Sequence, residues 1–142
     1  MTYWALVAGA GVAVLVVIQF RRAGLEQSNW AYPALLATFP AYYWAFAIYA
    51  ADYAALANEI AVGAGFLCIA AVACRLDSVA GLRLLALGYI GHAAYDAFHG
   101  LLFVNRGAPS WWPGFCGAVD ALIGLYLAYC AASMRPKRAR GA

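Results

Sequence analysis

Residues 31–74 read "AYPALLATFPAYYWAFAIYAADYAALANEIAVGAGFLCIAAVAC", an apolar run in which Asp52 and Glu59 are the charged side chains. A helix crossing a bilayer needs ~20 predominantly apolar residues, so this run is about twice too long for one crossing. It has to turn back on itself, and the break falls at "YAADYA", residues 49–54. Two helices result, Ala31–Ala51 and Tyr53–Cys74. Working outward, Thr2–Phe20, Val79–Val104 and Gly114–Met134 are apolar on the same scale. The connections are short and polar: "RRAGLEQSN", "RLDS" and "NRGAPSWWP".

Composition leads to the same class. Of 142 residues, 67% are hydrophobic and 11% charged. A soluble domain is nearer half apolar and a quarter charged, and a fold this small could not bury such an excess from water. The expected architecture is an all-α integral membrane bundle of five transmembrane helices. It forms a single membrane domain over 1–142, with a basic cytoplasmic tail at 135–142. The first helix has Arg21 and Arg22 after its apolar run rather than before it, so it reads as a retained helix and not a secretory signal. The net charge of +3 comes mainly from "RPKRAR" near the end. That charge suits topology and anionic lipid headgroups, not nucleic acid. Cys68, Cys74, Cys116 and Cys130 show no CxxC spacing and read as small buried residues, neither a disulfide framework nor a cysteine zinc site.

Loop charge sets the expected orientation. With the N-terminus outside and the C-terminus cytoplasmic, eight of the nine basic residues (Arg21, Arg22, Arg75, Arg83, Arg135, Lys137, Arg138, Arg140) fall inside and Arg106 alone outside. The positive-inside rule asks for this, whereas four helices would split the basic groups between the two sides. The expected location is the bacterial inner (plasma) membrane, as a multipass protein. Trp111, Trp112 and Pro113 anchor the start of the fifth helix at the outer interface. Pro33 and Pro40 should make the second helix irregular.

Polar residues then acquire depths. Counted from the outer ends at 1.5 Å per residue, Glu59, His99, Asp96 and Asp120 lie about 9–13 Å down and His92 about 20 Å. His92, Asp96 and His99 are spaced i, i+4, i+7 and share one narrow arc of the fourth helix. Asp52 aligns with Glu59 on the third, and Cys116, Asp120 and Gly124 share a face of the fifth. A charge turned toward lipid costs about 2.5–3.5 kcal/mol on the insertion scale, so all three stripes should face inward.

Four uses of such a layer compete. In the first, His92, Asp96, His99, Glu59 and Asp120 hold a divalent metal (zinc or iron), as ligands or as their immediate support, and the ion acts on a membrane lipid. The spacing matches neither HExxH nor the tandem Glu-x-x-His of di-iron bundles. The second is metal-free acid–base chemistry on an apolar substrate, as in an isomerase or cyclase. There Glu59 or Asp120 is the acid and His92 or His99 takes the proton. In either case "YYWAFAIYAADY" and the fifth-helix tryptophans can wall the substrate, through Tyr49, Tyr53 and Trp112, although lipid-facing packing explains those aromatics as well. The third is proton or ion transport, which the apolar inner half disfavours. The fourth is a polar network that fixes helix register or docks a homo-oligomeric or other membrane-protein partner. Cys116 reads as packing, with a thiolate ligand at the edge of the site as the lesser alternative.

The segments "HAAYDAFH" and "PSWWPGFCGAVD" resemble a pattern in small multipass bacterial membrane proteins to which no activity is assigned. The resemblance covers roughly the last third of the chain and implies a membrane bundle without implying a reaction. Ceramidase-like and adiponectin-receptor-like membrane hydrolases are similar in setting histidines and an aspartate around zinc. They have more helices and a further histidine pair with no counterpart here. Sterol-isomerase-type proteins are similar in their five helices and a His-x-x-x-acid pair, here His92 and Asp96. Neither likeness carries a substrate across.

Overall fold

The computed structural model describes residues 2–134. It contains five α-helices: α1 (Tyr3–Arg22), α2 (Ala31–Tyr49), α3 (Tyr53–Ala73), α4 (Ser78–Leu102) and α5 (Trp112–Ser133), with one 3-10 turn at Leu25–Gln27. The expected basic tail, 135–142, lies outside the described residues.

The long apolar run does break between Tyr49 and Tyr53, and the backbone shows how. Ala51 N–H donates to Ile48 O at 3.0 Å and Asp52 N–H to Ala47 O at 2.9 Å. These are the two bonds of a Schellman ending, which needs a left-handed residue, and Ala51 takes it at φ 51°. An L-residue in that conformation costs roughly 1–2 kcal/mol. Asp52 then starts α3 by accepting from Ala55 N–H at 3.1 Å. Asp52 is therefore a helix cap, although the spacing also aligns it with Glu59. Asp77 caps α4 in the same way, accepting from Val79 and Ala80. Pro113 sits in the first turn of α5, where its missing N–H is no loss.

The helices alternate between two ends of the bundle. Trp4 and Trp111, with ring centroids 5.4 Å apart, mark one end. At the other, Asn29 Nδ2 donates to Cys74 O at 3.1 Å. In cross-section α1 lies on α5, α5 on α4, α4 on α3 and α3 on α2, and α2 reaches back across to α4. Small residues allow the close contacts. A side chain at Gly9 would collide with the Phe115 carbonyl, and a Cβ on Gly124 would stand 2.8 Å from Ile90 Cγ1.

The half of the bundle near Asn29 is filled by Leu36, Leu85, Tyr89, Ile123 and Leu127, all buried. The half near Trp111 buries Glu59, His92, Asp96, His99 and Asp120. Outside, Val7, Leu15, Leu87 and Leu125 are each at least 60% exposed, the inverse of a water-soluble surface. By length and composition α1, α3 and α5 can each cross a membrane, which marks the chain as a membrane protein. Helices α2 and α4 fall short of that measure. Helix α4 carries Arg83, Asp96 and two histidines, and α2 is rich in tyrosine and proline. Yet Asp96, His92 and His99 are all folded inward, so composition understates how apolar the outer face of α4 is.

Candidate metal centre

The polar residues form two groups on successive levels. The group nearer the Trp111 end is built on Glu59 of α3. Its Oε1 meets His99 Nε2 at 2.8 Å and accepts from Asn105 Nδ2 at 2.9 Å, while its Oε2 accepts from Tyr95 OH at 2.6 Å. Trp44 Nε1 donates to the Glu59 carbonyl at 3.0 Å. Asn105 also donates to Tyr43 O and accepts from Gly107 N–H, which ties the α4–α5 loop to α2. The His99 ring stacks on Tyr43 with centroids 4.5 Å apart. Both carboxylate oxygens of Glu59 are used.

The second group lies deeper, where α4 faces α5. His92 Nδ1 is 2.8 Å from Asp120 Oδ2 and 3.4 Å from Asp96 Oδ2. Tyr43 OH donates to Asp96 Oδ1 at 2.8 Å. Cys116, one turn before Asp120, completes the set. Ligand-capable atoms of His92, Asp96, Cys116 and Asp120 lie within 4.8 Å of one another, and all four residues are buried. Phe66 and Phe39 close the far side of the His92 ring, at 4.7 and 5.7 Å between centroids. Asp96 Oδ2 and Asp120 Oδ1 have no hydrogen-bond partner.

That deficit has a chemical meaning. Two carboxylates share one imidazole, so with both ionised the group is negative even if His92 is protonated. Uncompensated charge in a dry interior costs several kcal/mol per ion. A proton held between the carboxylates or a bound cation removes it. Imidazole nitrogen, carboxylate oxygen and thiol sulfur are the donors that zinc and iron accept, so this group could hold a metal ion.

The residues expected to share one layer are thus divided. His92, Asp96 and Asp120 come together, and Glu59 pairs with His99 one level nearer the end. Depth counting misplaced His92 because α4 stops at Leu102, where Phe103 turns to extended backbone, and not at Asn105. Measured from the true helix ends, His92 and Asp120 lie ~15 and ~12 Å in and can meet. Tyr49 and Tyr53, expected beside the substrate, flank the α2–α3 turn at 90% and 74% exposure and reach neither group. Trp112 lies within the bundle's aromatic cluster, 5.0 Å from Tyr42 and 5.1 Å from Phe46 between centroids. Of the four cysteines, Cys116 alone is buried, while Cys68 faces outward.

Three contributors, Tyr43, Tyr95 and Asn105, escape the sequence reading, and a fourth is ranked too low. Cys116 reads from the sequence as packing first and as a thiolate ligand at the edge of the site second, and the structure favours the second by setting it in the donor group one turn from Asp120. Tyr43 and Tyr95 were hidden among many tyrosines, and Asn105 passed for a loop residue. Tyr95 does have a signal: its i, i+4 spacing to His99 places it beside the histidine stripe. Comparison of the chain with protein-family models, with curated proteins and with solved structures found no match in any of the three.

Proposed function

We propose that the chain is a five-crossing protein of the bacterial plasma membrane, N-terminus outside and C-terminus cytoplasmic. It binds a divalent metal, zinc or iron, through His92, Asp96 and Asp120 with Cys116, and directs that ion at a lipid-like substrate. Two features support the topology: the one-sided distribution of arginine and lysine, and the inward turn of every buried acid and histidine. The metal reading rests on one observation, the unpartnered oxygens of Asp96 and Asp120 inside a buried four-donor cluster. Glu59, each of whose carboxylate oxygens already has a partner, offers no such unpartnered oxygen to a cation. Glu59 and His99 accordingly serve as the rigid support from which Tyr43 aims Asp96. A metal here would polarise an ester or amide carbonyl, or activate water against it, next to the outer leaflet. As ligands, His92 and Asp120 would hold that ion in their deprotonated forms.

Metal analysis of the purified protein tests this directly. About one equivalent of zinc or iron is expected, lost in Asp96→Asn/Asp120→Asn and kept in His99→Ala. Wild-type protein that stays metal-free after incubation with zinc and with ferrous iron would remove the reading. A second reading would then lead, because a specific contact favours it. The His92 ring nitrogen lies between two carboxylates, 2.8 and 3.4 Å away, as an acid–base pair sharing one proton would require.

A further inference from the structure

Asn58 departs from the pattern around it. Its neighbour Glu59 is partnered by His99, Tyr95 and Asn105, and Trp44 donates to the Glu59 carbonyl. Asn58 turns outward from α3 and makes no side-chain hydrogen bond among the described residues. It stands five residues into the helix, ~7.5 Å from its start. A primary amide carries two donors and an acceptor, and lipid offers a partner to none of them.

The outward face of α3 is also periodic. Ala54, Asn58, Ala61, Gly65, Cys68 and Val72 are all exposed and recur at alternate steps of four and three residues. That is the 3.5-residue spacing of a and d positions in a left-handed pair of helices. The line runs ~27 Å, close to the whole hydrocarbon thickness. Helices α2 and α4 pack on the opposite side, where Ala55, Glu59, Gly63 and Ala70 are buried.

Gly65 gives an independent sign. A Cβ at Gly63 or Gly88 would stand 2.8 Å from a neighbouring side chain, so packing within the chain explains both glycines. A Cβ at Gly65 would meet nothing within 4 Å. Glycine weakens a helix interior relative to alanine, and no contact within the chain offsets that loss here. What glycine does permit is the close approach of another membrane helix.

We infer that α3 is the contact between two copies of this chain, related by a two-fold axis along the membrane normal. Copies inserted in the same direction pair α3 with α3 in parallel, which sets each a position against its own equivalent. The two Asn58 amides then face each other, and each donates to and accepts from its twin. A single asparagine at such a position fixes both the register and the two-stranded state. The occupant is a second copy because the amide is self-complementary and small residues on both sides let the backbones close at Gly65. Nothing in the pairing depends on the metal.

Cys68, exposed on the same line, reports the contact directly. The protein is placed in phosphatidylcholine vesicles with Cys74→Ser and Cys130→Ser, and copper–phenanthroline serves as the oxidant. Covalent dimers through Cys68 should form about tenfold faster than through Leu67→Cys in a Cys68→Ser background, which is exposed at equal depth but off the line. Energy transfer between copies dyed at the N-terminus, followed as lipid dilutes the protein, measures the strength of pairing. Asn58→Leu should weaken it about three- to tenfold, the worth of one interhelical hydrogen bond in a membrane. Gly65→Leu, whose side chain enters open space within one copy, should abolish pairing and leave thermal unfolding of the single copy unchanged. Equal cross-linking through Cys68 and Leu67→Cys overturns the interface. So does energy transfer no greater than random encounter at every dilution, or a Gly65→Leu variant that pairs as well as the wild type.

Discussion

Glu59 and Asp120 are both buried carboxylates, and each lies 2.8 Å from a histidine of α4. Around Glu59 the chain supplies a donor for each oxygen, from His99, Tyr95 and Asn105. Around Asp120 it supplies a second carboxylate, a thiol and only one imidazole, and leaves two oxygens bare. Similar residue types therefore make a closed network at one level and an open donor set at the next. Among buried groups, unmet hydrogen-bonding capacity is a better guide to a site than the presence of acids and histidines.

The strongest attack on this contrast is Glu59→Leu. It strands His99, Tyr95 and Asn105 and should destabilise the protein by about 3–5 kcal/mol in detergent. Thermal unfolding measures it, and a loss below about 1 kcal/mol would mean that the upper network is not structural. Next in size, Asp120→Asn should weaken zinc binding about 100-fold or more, while the metal-free protein keeps or gains stability because one of two crowded charges is gone. Opposite signs at Glu59 and Asp120 would sharpen the comparison. Parallel destabilisation would dissolve it.

Smaller effects probe the link between the levels. Tyr43 stacks on His99 and donates to Asp96, so Tyr43→Phe keeps the stack and frees Asp96 to rotate. Metal affinity should fall about 10–100-fold, as for other residues that orient a ligand; titration showing no change would separate the two groups functionally. The smallest change is expected from Cys116→Ser. Cobalt-loaded protein should lose its thiolate charge-transfer absorption while affinity shifts by about tenfold or less. An unaltered spectrum would return Cys116 to a packing role.

Much of this was legible along the chain. The excess of apolar residues, the run from Ala31 to Cys74 that had to fold back, and the i, i+4, i+7 stripe of His92, Asp96 and His99 are all one-dimensional signals. Less legible was the partner each acid would find. Asp52 shares the spacing of Glu59 but is spent on a helix cap, and Tyr49 and Tyr53 were drawn outward by the turn they flank. Asn105 contributes because the loop after Leu102 folds back over Tyr43 and Glu59, contacts across 62 and 46 residues that no local pattern encodes.

The sequence by itself determined the number of helices, where the long apolar run breaks, and that each buried charge must face inward. Those outcomes follow from periodicity and from the cost of polar groups in lipid, both of which act residue by residue. Only the tertiary structure decided that Glu59 meets His99 while Asp120 meets His92, and that Cys116 and Tyr43 join the second group. Those pairings depend on where helices stop and how closely α4 approaches α5. A helix ending three residues earlier moves a side chain by ~4.5 Å, more than the length of the hydrogen bond it must make.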